Sequence, residues 1–100
     1  MAISSKDDII DYLRKNKKIF HDQFGVKRIG IFGSFARNTQ TSASDIDLII
    51  EIEKDRKNIH NFLNLKRFLE NDLGRNIDLG FEHCLKPMVR EKIKGQILYA

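Results

Sequence analysis

Apolar residues recur along this chain with two periods, one typical of helices and the other typical of strands. Ile9, Ile10 and Leu13 lie at helical spacing, and the apolar stripe continues through the first twenty residues. Ser5 followed by Asp8 resembles a capping box at the start of this stripe. The pattern therefore predicts one N-terminal helix.

Three short segments, 26–32, 45–52 and 76–81, are rich in apolar and β-branched residues and follow glycines or polar loops, which predicts strands. Segment 45–52 alternates, so its even-numbered residues share an apolar face. The other face carries Asp45, Asp47, Ile49 and Glu51. This strand is therefore expected to carry carboxylate side chains on one face.

Helices are predicted between and after these strands. Ser34 would cap a short helix ending at Arg37, and residues 58–73 have helical spacing. A last helix would begin near Pro87 and continue toward the C-terminus with Ile97 in its apolar stripe. The order α-β-(α)-β-α-β-α predicts an α/β fold, a small mixed sheet flanked by helices. The short loop between the first two strands leaves room for an antiparallel pair.

The composition is that of a small water-soluble protein. One hundred residues are expected to form one domain, 1–100. Neither a signal-peptide pattern nor an apolar run long enough to span a membrane is present, so a cytoplasmic location is expected. The single cysteine, Cys84, cannot form an intrachain disulfide, and the three histidines lack the spacing of zinc ligands.

The charge balance is weakly basic. Eighteen Lys and Arg against fourteen Asp and Glu give a net charge of +4, which is compatible with an anionic ligand. The basic residues are scattered among carboxylates and sit beside no aromatic platform. Direct binding of nucleic acid is therefore not expected.

The candidate chemistry lies in Gly33 and Ser34, followed after ten residues by Asp45 and Asp47, with Asp78 on the next predicted strand. Two carboxylates at i and i+2 on a strand project from the same face, about 6 to 7 Å apart at the backbone. Mg²⁺ prefers oxygen ligands and is commonly held by one or two carboxylates together with substrate phosphates. Glycine lets the backbone approach a ligand closely, and a serine at a helix start offers hydroxyl and amide donors to a phosphate group. The pattern predicts a phosphate end and a metal end of one site.

The letters around these residues form two stretches, Gly-Ser-Phe-Ala-Arg at 33–37 and Ser-Asp-Ile-Asp-Leu at 44–48. They resemble the signature of the DNA polymerase β-like nucleotidyltransferase superfamily. The length of the chain is similar to that of its minimal nucleotidyltransferase (MNT) branch. One difference is Asn38, where the family usually has glycine. Asparagine tolerates left-handed backbone better than most residues, so this turn can still form.

The resemblance implies an enzyme with the nucleotidyltransferase (polymerase β-like) fold that moves a nucleoside monophosphate from a triphosphate, here ATP, to a hydroxyl. Two Mg²⁺ ions and three carboxylates carry the reaction in this family. At the matching positions, the implied catalytic and metal-binding residues are Asp45, Asp47 and Asp78. The implied nucleotide-binding residues are Gly33, Ser34 and Arg37. Taken alone, Asp78 could be a strand-end carboxylate, Ser34 a helix cap and Arg37 a surface cation.

The resemblance also implies a partner. Minimal members are typically antitoxins in two-gene systems of type VII-like character, paired with a helical HEPN ribonuclease toxin. Some members adenylylate a tyrosine of that toxin. This chain is therefore expected to have a HEPN-type partner encoded by a neighbouring gene, and a homo- or hetero-oligomer is possible. Two alternatives stay open: a catalytically silent antitoxin that acts by binding, and nucleotidyl transfer to a small molecule or RNA with a partner subunit.

Overall fold

The computed structural model describes residues 5–37, 39–41, 45–84, 88, 91 and 94–100. Four helices and four strands have defined bounds in this part of the chain. In chain order they are α1 (Lys6–Lys15), α2 (Lys17–Phe24), β1 (Val26–Phe32), α3 (Gly33–Ala36), β2 (Ile46–Ile52), α4 (Ile59–Leu73), β3 (Ile77–Phe81) and β4 (Leu98–Tyr99). Short 3-10 turns follow β2 and β3 and precede β4.

The four strands form one mixed sheet in the order β3-β2-β1-β4. β1 pairs antiparallel with both β2 and β4, whereas β2 and β3 are parallel and are connected through α4. The predicted α/β class with a small mixed sheet is confirmed, and the first pair of strands, which the sequence left open, is antiparallel. Strands β2 and β3 both begin at the same end of the sheet, next to the last residues of β1.

The hydrophobic core lies on one face of the sheet. The even-numbered residues of β2 are buried there, as the alternation predicted, together with buried residues of α1, α2 and α4. Ile49 faces the opposite side with Asp47 but is also buried. It lies between Gly30 and Gly80 of the neighbouring strands, and Ile97 approaches Gly30 closely. The middle of the acidic face is therefore covered, while Asp45 at its end is exposed.

The N-terminal segment forms two helices, so the prediction of one continuous helix is wrong. Ser5 caps α1 as predicted, accepting a hydrogen bond from the backbone of Asp8 at 3.4 Å. The break falls at Asn16, whose backbone and side-chain amides both donate to the Tyr12 carbonyl. An asparagine side chain that bonds the backbone in this way competes with regular helix, and the chain restarts as α2.

The predicted helix over residues 58–73 is confirmed. Asn58 is its N-cap and accepts a hydrogen bond from the backbone of Asn61 at 2.9 Å, and α4 begins at the next residue. It ends at Gly74, whose φ of 65° is in the left-handed region that favours glycine. The buried side chains of α4 are Leu65, Leu69 and Leu73.

The predicted last helix is only partly correct. Its expected start at Pro87 lies outside the described residues, and Met88 and Glu91 have helical backbone. The continuation through Ile97 is wrong, because the chain leaves the helix and forms β4. β4 pairs with residues 30–31 of β1, so the edge of β1 gains backbone hydrogen bonds that a helix would not supply. Within the described part of the chain, no helix is long and apolar enough to cross a membrane.

Candidate active site

The sheet brings Asp47 and Asp78 side by side. They are paired in the register of the parallel strands β2 and β3, so both side chains project from the face opposite the core. Phe32, the last residue of β1, is paired with Asp47 on its other side. The two carboxyl groups are close enough for Asp78 to raise the pKa of Asp47. The two acidic strands are thus neighbours, as a shared site requires.

The electrostatics show that Asp47 is affected both by its burial and by its charged neighbours. Burial raises the pKa of the Asp47 carboxyl above its ordinary value, and the charges of Asp78 and Asp45 raise that pKa further. The Arg37 guanidinium lowers it. Ionising Asp47 is therefore costly in the protein alone, and a nearby cation would reduce that cost.

Gly33 allows the chain to pass directly over Asp47. Its φ is 75°, a left-handed conformation that residues with a side chain rarely adopt. A Cβ atom placed on Gly33 would overlap the Asp47 carboxylate. Glycine at this position therefore lets α3 begin against the acidic pair, so the predicted phosphate end and metal end are in contact.

Ser34 lies inside α3, so the prediction that it caps this helix is wrong. α3 begins one residue earlier, at Gly33, and its N-cap position is the extended Phe32. The Ser34 carbonyl accepts a hydrogen bond from the Thr39 backbone at 2.9 Å, which holds the start of the following loop against α3. Among the described residues, the Ser34 hydroxyl has no hydrogen-bond partner.

Arg37 ends α3 and is exposed, close enough to Asp47 to affect the pKa of that carboxyl. Arg37 is therefore an exposed cation beside the carboxylates, and its nucleotide-binding role stays a prediction. Asn38, where the chain differs from the family pattern, lies outside the described residues, as does segment 42–44.

Arg75 is a neighbour of this site that the sequence did not reveal. Its guanidinium lies 5.2 Å from the ring centroid of Phe35, a fully buried residue of α3. This cation–π contact holds the loop before β3 against α3. Arg75 and Phe35 are forty residues apart, so no local pattern predicts the contact; the only hint is that Arg75 precedes Asp78 by three residues.

The comparisons with known proteins agree with this geometry. The chain matches the nucleotidyltransferase domain family over residues 13–99. It is 30% identical over 99 residues to the protein adenylyltransferase MntA of Thermococcus cleftensis, covering 99% of each chain. It is 39% identical over 93 residues to a provisionally named protein adenylyltransferase of Methanocaldococcus jannaschii, covering 92% of this chain and 94% of that protein.

Solved structures show the same fold. A provisionally named minimal nucleotidyltransferase superposes with a TM-score of 0.73 at 29% identity, covering 89% of this chain and 93% of the other. A toxin–antitoxin structure with AMP-PNP superposes with a TM-score of 0.63 at 21% identity, covering 86% of this chain and 69% of that one. From the family match and these relatives, the chain belongs to the nucleotidyltransferase domain family, in its minimal branch, and is a nucleotidyltransferase enzyme.

Proposed function

We propose that this enzyme transfers AMP from ATP to a hydroxyl of a partner toxin and thereby acts as its antitoxin. Relatives of similar length are named protein adenylyltransferases, and structural neighbours with this fold come from toxin–antitoxin complexes. We propose further that the partner is a HEPN-type ribonuclease and that the acceptor is a tyrosine, as the family resemblance implies.

The carboxylates suit Mg²⁺ as the cofactor. Asp45, Asp47 and Asp78 offer the hard oxygen donors that Mg²⁺ prefers. The raised pKa of Asp47 reflects its burial first and the negative charges of Asp78 and Asp45 second, and a divalent cation would offset both. Among the described residues, no three metal-ligating side chains already converge on one point. Nucleotide and metal would therefore have to draw these carboxylates together. When bound, Mg²⁺ would neutralise the triphosphate and lower the pKa of the attacking hydroxyl.

The remaining residues have separate tasks in the proposed reaction. Gly33 and the Ser34 hydroxyl hold the triphosphate, and Arg37 offsets negative charge beside Asp47. The acceptor oxygen attacks the α-phosphorus in line, and the bond from that phosphorus to the leaving pyrophosphate breaks. The Asp78 carboxylate accepts the hydroxyl proton, since it is exposed on the face where the acceptor must arrive.

The observation that carries the proposal is the close approach of Gly33 to Asp47, which is paired with Asp78 across the sheet. This approach supports a site in which the turn at Gly33 would bind phosphate beside the carboxylate pair. The test measures Mg²⁺-dependent transfer of α-labelled AMP from ATP to the partner. We expect Asp47→Asn to lower transfer by at least a hundredfold, and Asp55→Asn, at an exposed residue of the turn after β2, to leave it unchanged. Full activity in Asp47→Asn would refute the assignment of this site.

A further inference from the structure

The short helix α3 carries two of the proposed nucleotide-binding residues and is anchored through one side chain. It has four residues, about one helical turn, and a single turn is not stable by itself. Phe35 is its buried side chain, whereas Gly33 and Ser34 are half-buried. The placement of Gly33 against Asp47 therefore depends on how firmly the Phe35 ring is held.

The guanidinium of Arg75 lies against this ring. It is 5.2 Å from the ring centroid, and Arg75 is itself half-buried. Partial burial strengthens a cation–π contact, because less water competes for the cation. A planar guanidinium can also stack on an aromatic ring, which the ammonium group of lysine cannot do. The contact therefore restrains α3 relative to the connection between α4 and β3, where Arg75 lies.

The backbone beside Arg75 is bonded to the strand that carries Asp47. Asn76, the next residue, accepts a hydrogen bond from the backbone amide of Ile46 at 3.1 Å. Ile46 immediately precedes Asp47 at the start of β2. Asp78 lies two residues after Asn76, in β3. Arg75 thus links α3 to the starts of both acidic strands.

We propose that Arg75 is a positioning residue for nucleotidyl transfer: its contact with Phe35 keeps the start of α3 aligned with the two carboxylates. The inference rests on the proposed function, because it concerns the same site. If the turn at Gly33 holds the triphosphate, a shift of α3 moves the α-phosphorus relative to the carboxylates. A displacement of about 1 Å in such a site can lower the rate about a hundredfold.

Direct binding of phosphate by Arg75 is the less favoured role. Its guanidinium lies against Phe35, which belongs to the hydrophobic core. The side chains of Asp47 and Asp78 project from the opposite face of the sheet. Arg75 is therefore expected to act on the site through α3 rather than by contact with the nucleotide.

Hydrogen exchange in the free protein tests whether Arg75 holds α3. The backbone amides of Arg37 and Thr39 donate to carbonyls of α3, so their exchange rates report the opening of this turn. We expect Arg75→Ala to speed the exchange of both amides at least threefold and that of Phe62, in α4, less than twofold. The matched control Arg67→Ala, at an exposed residue of α4, should change all three rates less than twofold. Unchanged exchange of Arg37 and Thr39 in Arg75→Ala would overturn the inference.

Steady-state transfer of α-labelled AMP to the partner tests whether this restraint matters to the reaction. We expect Arg75→Ala to lower kcat at least tenfold and to change KM for ATP less than twofold, because misalignment affects the transition state more than ground-state binding. Phe35→Leu should lower kcat by a similar factor. The double variant should be no worse than either single variant, since both remove the same contact. Arg67→Ala should match the wild type.

The kinetic results separate positioning from the other roles. A raised KM with unchanged kcat in Arg75→Ala would overturn the inference and assign direct binding of ATP. Wild-type kinetics together with faster exchange in α3 would overturn it in favour of a purely stabilising contact, and would leave the proposed function standing. Absence of transfer by the wild type would overturn both proposals. Circular dichroism confirms that each variant is folded, and if Phe35→Leu unfolds, the results for Arg75→Ala decide alone.

Discussion

Gly33 passes so close to the Asp47 carboxylate that the two positions constrain each other. The sequence indicated both residues, because a glycine before a short helix and an alternating acidic strand are local patterns. It did not indicate their contact, or the stacking of Arg75 on Phe35, since each joins residues that are distant along the chain. The prediction that Ser34 caps α3 is wrong because the helix already begins at Gly33, whose backbone conformation local patterns do not reveal.

Replacing Gly33 by alanine tests this close approach. We expect Gly33→Ala to lose AMP transfer and to lower the free energy of unfolding by about 2 to 4 kcal/mol, since it adds both left-handed strain and overlap with Asp47. Gly74→Ala is the matched control, because Gly74 has a similar φ of 65° but nothing within 4 Å of an added Cβ. It should cost about 1 kcal/mol and keep full activity. Urea unfolding and the transfer assay measure the two effects, and equal activity of both variants would contradict the account.

The raised pKa of Asp47 predicts that the free energy of unfolding depends on pH. The folded protein holds the Asp47 proton more tightly than the unfolded chain does, because the pKa is raised from its ordinary 3.8. Wild-type stability should therefore decrease as the pH rises from about 3.8 through the folded-state pKa, and the loss is complete above it. Asp47→Asn avoids this loss. It should be the more stable protein at pH 7, by at most about 1 kcal/mol after solvent screening, and the difference should vanish near pH 3.

Thermal unfolding with and without Mg²⁺ supplies the control for this effect. Mg²⁺ at millimolar concentration should raise the melting temperature of the wild type and not that of Asp47→Asn, since a cation that binds only the folded carboxylates stabilises that state. If Asp47→Asn were less stable than the wild type at pH 7 without Mg²⁺, ionised Asp47 would not carry the cost that its burial and its acidic neighbours predict.

Among the elements, β1, β2, β3 and α4 were predictable because each carries its own boundary signals, such as the Asn58 cap and the alternation of β2. The two errors arose where contacts outside the local pattern decide the structure. The Asn16 side chain interrupts a continuous apolar stripe, and β4 forms because β1 offers an unpaired edge. Neither interaction can be recognised from the spacing of apolar residues in the sequence alone.

The packing of α1 against α4 includes a partly buried hydrogen bond that can be tested. The Tyr12 hydroxyl donates to Asp72 at 2.6 Å, and burial together with this bond raises the pKa of Tyr12. We expect Tyr12→Phe to lower the free energy of unfolding by about 1 to 2 kcal/mol, because it removes a bond to a charged acceptor. In the control Tyr99→Phe, the lost bond to Glu82 is exposed and should cost less than about 0.5 kcal/mol. A larger loss in Tyr99→Phe would reverse this assignment.

Across the whole molecule, the two faces of the sheet differ: one packs the hydrophobic core, and the other carries the candidate active site. The core face packs against α1, α2 and α4, while the opposite face presents Asp47 and Asp78 at the end where β2 and β3 begin. The sequence predicted this division, because alternation places the aliphatic and acidic residues of β2 on different faces. It could not predict the strand order or the pairing of Asp47 with Asp78, since register is set by tertiary packing.

The intact mass of the partner protein, after incubation with this enzyme and MgATP, shows whether AMP is transferred to it. The wild type is predicted to add mass in whole AMP units, and Asp47→Asn to add none although it still binds the partner. Fragmentation of the modified partner would then locate the acceptor, expected to be a tyrosine. A partner that is neutralised without any gain in mass would contradict the account and would identify the protein as an antitoxin that acts by binding alone.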